Sequence, residues 1–166
     1  LREYALNNDA DLIRFADQRS ATDKRMYFDG GRIDGPAVPN SAAYFGACTI
    51  EVTVLIENVG ALQEIYGHGQ YYNLLISSGQ YVLNYGTFTG VSAQSGLQTL
   101  AIDYNSSGQA TDFRIDGVSV WSGTSAVGSS GLTQFRLGYA TTFTFRGLLY
   151  DFSLTGSSVE NYVWNG

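Results

Sequence analysis

The amino-acid sequence predicts an all-β domain built as a two-sheet antiparallel sandwich, and three observations carry that expectation. From about Tyr44 onward, short apolar runs recur at intervals of roughly 8–12 residues, separated by Gly, Ser or Asn, which is the strand-and-turn spacing of a sandwich. Charged residues make up 14% of the chain, well below the roughly 25% of an average soluble domain. The 20 Gly, 12 Tyr and 9 Phe favour strands and tight turns over helices. Nothing after Tyr44 has a helical period. The 166 residues fit a single domain, 1–166, with one core.

Residues 1–25 are open between a short helix and an irregular strand, because Leu12, Ile13 and Phe15 fit either. Tyr27-Phe28-Asp29 opens the firm strands, and 30–40, with Gly30, Gly31, Gly35, Pro36 and Pro39, reads as a loop. Ile50, Val52, Val54 and Ile56 then share one face of a strand while Glu51, Thr53 and Glu57 share the other. Cys48 has the apolar parity and reads as a buried, inert hydrophobe. As the only cysteine it excludes an intrachain disulfide. Ser78-Gly79 reads as a hairpin turn between Tyr71–Ser77 and Gln80–Tyr85. Leu97–Tyr104, Thr111–Ile115 and Val118–Trp121 form a meander through turns at Asn105-Ser106-Ser107-Gly108 and Asp116-Gly117. Phe135 and Leu137, then Thr141–Phe145, lead to a closing strand with Leu148, Tyr150, Phe152 and Leu154 on one face. The expected core includes Val52, Val54, Ile102, Phe113, Leu137, Tyr150 and Phe152.

Charge narrows the function. The net charge is -6, Lys24 is the only lysine, and no Lys or Arg lies between Arg32 and Arg114. There is no basic stripe to follow a phosphate backbone, so nucleic acid is not an expected partner. No apolar run approaches the roughly 20 residues of a membrane-spanning helix, and no membrane insertion is expected. Beginning at Leu1, the chain reads as a module of a longer protein.

Several segments together resemble the laminin-G-like, pentraxin-like branch of the concanavalin A-like lectin and glucanase superfamily, over about Met26 to Leu154. Tyr27-Phe28-Asp29-Gly30 resembles that family's opening strand, and Cys48-Thr49-Ile50-Glu51 the start of its second. Gln63-Glu64-Ile65-Tyr66-Gly67 looks like the next strand. Leu97–Ser107 followed by Phe113-Arg114-Ile115-Asp116-Gly117-Val118 is similar to its paired strands. Phe135-Arg136-Leu137-Gly138 and Phe145-Arg146-Gly147-Leu148-Leu149-Tyr150-Asp151-Phe152 look like its closing strands. The chain departs from the pattern at Gly96-Leu97-Gln98, where a Trp is common in the family. The resemblance implies a concanavalin A-like jelly roll, with calcium as the usual metal. Asp29, Asp34, Asp103, Asp116 and Asp151 are the candidates for a structural calcium, without a calcium-loop spacing among them. No other cofactor is expected.

Catalysis finds little support. The glutamates Glu3, Glu51, Glu57, Glu64 and Glu160 do not form the paired-carboxylate strand motif of the related glucanases, and no catalytic residue is assigned. His68 is the only histidine, and no nucleophile-elbow motif surrounds a serine. The candidate ligand residues are Tyr66, His68, Tyr71 and Tyr72, in what reads as a glycine-flanked loop, joined by Trp121 and Tyr139. Tyrosine faces stack on sugar rings and their hydroxyls bond sugar hydroxyls. The same residues also read as ordinary strand formers and a solvated histidine. Glu51, Arg114, Arg136, Arg146 and Asp151 fall on the solvent side of their strands, where cross-strand ion pairs are expected.

The expectation is a non-catalytic, glycan-binding adhesion module from a phage tail fibre or another extracellular or virion surface protein. Its partners would be a glycan or cell-surface polysaccharide and sister domains of a larger chain, with a homotrimer as one arrangement. A structural or assembly domain without a ligand is the first alternative, and an atypical glycosidase the second.

Overall fold

A computed structural model describes residues 13–14, 26–29, 33–37, 44–68, 71–127, 134–138, 145–157 and 162–165. Among these there is no helix. The strands are β1 (Ile13–Arg14), β2 (Met26–Asp29), β3 (Ile33–Ala37), β4 (Cys48–Ile56), β5 (Gln63–His68), β6 (Tyr71–Ser77) and β7 (Gln80–Leu83). They continue as β8 (Thr87–Ser92), β9 (Gly96–Tyr104), β10 (Ala110–Ile115), β11 (Val118–Ser122), β12 (Gln134–Leu137), β13 (Arg146–Thr155) and β14 (Tyr162–Asn165). Two antiparallel sheets result. The larger has the order β1-β2-β13-β4-β9-β10-β11, with β14 also paired to β13, and the smaller has the order β3-β12-β5-β6-β7-β8.

The sheets face each other across one core, as the alternation of β4 requires. Ile50, Val52, Val54 and Ile56 are buried, whereas Glu51 is exposed. Leu100, Ile102, Phe113 and Leu154 join them from the large sheet, and Leu74, Ile76, Tyr81 and Leu83 from the small one. The sheets also meet through polar groups. The Tyr66 and Tyr104 hydroxyls are hydrogen-bonded at 3.0 Å, and the Tyr81 hydroxyl donates to Gln98 Oε1 at 2.6 Å. Each pair satisfies hydroxyls that would otherwise be stranded in the core.

The expected hairpins are present. Ser77 opposes Gln80 across Ser78 and Gly79, both with positive φ, and Ile115 opposes Val118 across Asp116 and Gly117, likewise. Paired positive φ values match the right-handed twist of the flanking strands.

Four expectations are corrected. Residues 33–37 form a strand rather than loop. Pro36 is tolerated because β3 is an edge strand, and its pairing with β12 shifts register there. Tyr150 is half-buried outside the core, because the register of β13 against β4 slips between Leu149 and Asp151. That bulge reverses the parity, so Leu149 and Phe152 both turn inward. Leu137 is also only partly buried, packed against the rim of the core. Finally, Gln80–Tyr85 is not one strand: β7 ends at Leu83, and Asn84 and Tyr85, at φ 52° and 58°, turn the chain into β8. Ile13–Arg14 pairs with β2, and the rest of 1–25 lies outside the described residues, as does most of 141–145.

Candidate functional site

The aromatic cluster expected on a ligand-facing loop is in the structure an internal one. Tyr66 and His68 lie on β5 and Tyr72 on β6, and all three are fully buried. Tyr66 packs on Phe135 and Phe152, while His68 packs on Phe45 at a centroid distance of 5.4 Å and on Tyr44 and Tyr72. The Tyr72 hydroxyl donates to the Gly46 carbonyl at 3.2 Å. Buried rings present no face to a sugar, so the expected platform is corrected for these three. Tyr71 is half-buried beside Tyr72, and Trp121 stands apart on β11 opposite Phe113. Tyr139 lies outside the described residues.

The physical reason is a pair of compensating bulges. The pairing of β5 with β6 slips between Glu64 and Tyr66 and back between Tyr66 and His68, with Tyr72 at φ 55°. Period-2 reading fails across such a segment, and Gly67-His68-Gly69 imitates a loop. Gly67 has a different duty. A Cβ there would lie 2.0 Å from Glu64 Oε1 and 2.3 Å from Asn73 Oδ1, so the glycine makes room for those two side chains.

Polar chemistry open to solvent gathers instead on the outer face of the large sheet. Thr49, Glu51 and Thr53 point outward from β4, opposite Asp103, Ala101 and Thr99 on β9 and opposite Thr155, Ser153 and Asp151 on β13. Hydrogen bonds tie this face together. Arg114 on β10 donates to Asp103 through Nη1 at 2.6 Å and Nη2 at 2.8 Å, and to Asp112 at 2.7 Å. Ser119 donates to Asp112 at 2.6 Å, Thr49 donates to Asp103 at 2.7 Å, and the Thr53 and Thr99 hydroxyls are 3.1 Å apart. The chelating guanidinium, helped by Thr49, outweighs partial burial and holds the Asp103 carboxyl below its usual range.

Beside this lattice, Glu51, Thr53, Asp151, Phe152 and Ser153 line an open depression of about 300 Å³. The bulge at Tyr150 places Asp151 opposite Thr53 and Ser153 opposite Glu51. Glu51 and Asp151 are therefore diagonal neighbours, with Cα atoms about 7–8 Å apart. Both side chains are exposed on the sheet face.

Of the calcium candidates, Asp103 is engaged by Arg114 and Thr49, and Asp116 accepts the Thr99 amide at 2.8 Å. The side chains of Asp29 and Asp34 lie outside the described residues. Among the described residues, no three His, Cys, Asp or Glu side chains converge on one point. Cys48 is buried, and burial pushes its thiol up to about 12, which removes its nucleophilicity.

Sequence reading found Glu51, Arg114 and Asp151 as outward residues but did not join Glu51 and Asp151 in one depression, since that requires the β13 bulge. It weighed Glu64 only among the glutamates that form no paired-carboxylate motif, and did not expect it to be buried. No family model, curated protein or solved structure matches this chain.

Proposed function

We propose that this domain is a non-catalytic binding module of the adhesion type, which takes glycans on the outer face of its large sheet. The observation that supports this reading is the depression lined by Glu51, Thr53, Asp151 and Ser153 beside the Arg114–Asp103 lattice. Sugar hydroxyls are recognised by fixed carboxylates, hydroxyls and guanidinium groups, and here these are held on strands rather than loops. A shallow polar site gives weak single contacts, of about millimolar Kd or 4 kcal/mol, so capture depends on repeated copies. The charge-poor surface and the resemblance to lectin-like sandwiches support an extracellular or virion setting, such as a tail fibre.

A glycan array probed with multimerised domain tests the proposal. The Glu51→Ala/Asp151→Ala variant should lose capture at unchanged melting temperature. Capture that survives in the folded variant would refute the placement of the site. One observation favours the assembly reading: Phe88, Leu97 and Val118 are exposed to 58%, 56% and 65%. Self-association by light scattering, with no glycan captured, would support assembly instead.

A further inference from the structure

A row of apolar side chains crosses the strands on the outer face of the large sheet. Leu148 of β13 pairs with Tyr27 of β2 on one side and with Leu55 of β4 on the other, and Leu55 pairs in turn with Leu97 of β9. Their chain neighbours Phe28, Leu149, Val54 and Gln98 are buried, so the alternation of each strand turns the four outward. Tyr27, Leu148 and Leu55 are half-buried, and Leu97 is 56% exposed. With neighbouring strands about 4.8 Å apart, the row is about 14 Å long and one side chain wide.

Polar groups border it on both sides. Thr53, Thr99 and, past the bulge, Asp151 hold the next outward positions in one direction, so the depression of Glu51, Thr53, Asp151 and Ser153 opens directly beside the row. Glu57, Ser95 and Arg146, all exposed, hold them in the other. The Tyr27 hydroxyl donates to Glu57 Oε2 at 3.3 Å. That reach, from β2 over β13 to the end of β4, lays the ring along the sheet rather than upright on it.

We propose that the ligand is a linear oligosaccharide that runs across the strands, with the apolar faces of successive rings on Tyr27, Leu148, Leu55 and Leu97; this rests on the glycan reading above and adds the shape and direction of the glycan. A sugar ring has a face of C–H groups and a rim of hydroxyls. A chain one ring wide therefore lays its faces on the row and turns its rims to Thr53, Thr99 and Asp151 on one side and to Glu57 and Ser95 on the other. Other occupants fit less well. An extended peptide binds through backbone hydrogen bonds, but β2, β13, β4 and β9 each have a strand on both sides, which engages their backbone groups. A folded partner covers about 800 Å² per side, whereas polar rows interrupt this surface about 7 Å to either side. A second copy would also bring another net charge of -6 against the first.

A single ring covers only part of the row, so affinity must grow with chain length until the row is filled. Calorimetric titration of the domain tests this with matched di- and hexasaccharides of cellulose, starch, chitin, mannan and any further polymer that the glycan array identifies. The hexasaccharide of a captured polymer should bind at least about tenfold more tightly than its disaccharide, since each further stacked ring adds about two- to tenfold. Leu97→Ser, at an exposed position that the core does not need, should cut that ratio to about threefold or less, and Leu97→Met should keep it. Phe88→Ser is the control for general stickiness, because Phe88 is 58% exposed but lies on β8 of the other sheet; it should leave the ratio unchanged. If chain length makes no difference, or Leu97→Ser keeps the full ratio, this inference is overturned while the glycan reading stands. If no glycan binds the domain at any length, the glycan reading falls and takes this inference with it.

Discussion

Gly147 is where the large sheet tolerates least. It lies on β13 between Phe28 of β2 and Ile56 of β4, at φ +156°, a conformation that L side chains rarely adopt. A Cβ there would stand 2.0 Å from the Leu55 carbonyl oxygen and 2.9 Å from Phe145 Cζ. The oxygen belongs to the backbone of a central strand, so no rotamer change relieves the contact. Gly147→Ala must push β13 from β4 by about 1 Å, which combines backbone strain of about 1–3 kcal/mol, overpacking of about 1–3 kcal/mol and one weakened ladder hydrogen bond of about 1 kcal/mol. The expected loss is about 3–7 kcal/mol, a large share of a typical 5–15 kcal/mol stability. Gly117→Ala is the control: φ is +80° but nothing lies within 4 Å, so only the left-handed penalty of about 1–2 kcal/mol applies. Urea unfolding followed by tryptophan fluorescence compares the two. Equal costs would refute the close approach of β13 to β4.

Phe152→Ala should cost about 3–5 kcal/mol in the same assay, since its ring fills the space against Tyr66 and Phe135. Tyr66→Phe strands the Tyr104 hydroxyl and should cost about 1–3 kcal/mol; a double Tyr66→Phe/Tyr104→Phe variant should recover part of that in a thermodynamic cycle. Arg114→Ala should cost no more than about 1 kcal/mol at neutral pH, because the pair with Asp103 is about a third exposed and screened by solvent. Asp103 titrates below its ordinary 3.8, so its contribution is present above that value and lost as pH falls. Melting temperatures between pH 2 and pH 5 should therefore drop less steeply in Arg114→Ala than in the wild type.

Strict alternation made β4 legible, with Val52 and Val54 in the core as its parity predicts. Ile102 of β9 and Phe113 of β10 are also core residues as predicted, although β10 shifts register against both its neighbours, and dipeptides such as Asp116-Gly117 marked the turns. Legibility ended at the bulge of β13 and the slips between β5 and β6. Tyr150 looked equivalent to Phe152, but the extra residue in β13 separates them. Tyr66, His68 and Tyr72 looked like a loop because two glycines flank His68, and a glycine that admits two side chains reads the same as one that turns the chain. Pro36 suggested a loop because nothing local says that β3 lies at a sheet edge. Each failure concerns a long-range partner, which a local pattern does not encode.

The bulges that defeated the pattern are also what set the polar groups in place. Without the extra residue in β13, a strand that keeps Leu149 inward would carry Asp151 and Ser153 into the core, where a charge without a partner costs several kcal/mol. With it, Phe152 and Leu154 remain buried while Asp151 and Ser153 join Glu51 outside. The slips between β5 and β6 act similarly on the other sheet: Tyr66 and His68 enter the core while Glu64 opposes Leu75 on the outer side. Both sandwich faces thus gain a carboxylate beside a hydroxyl, one open to water and one closed from it. That difference in exposure leaves Glu51 and Asp151 in contact with water, whereas burial pushes the Glu64 carboxyl up to about 7.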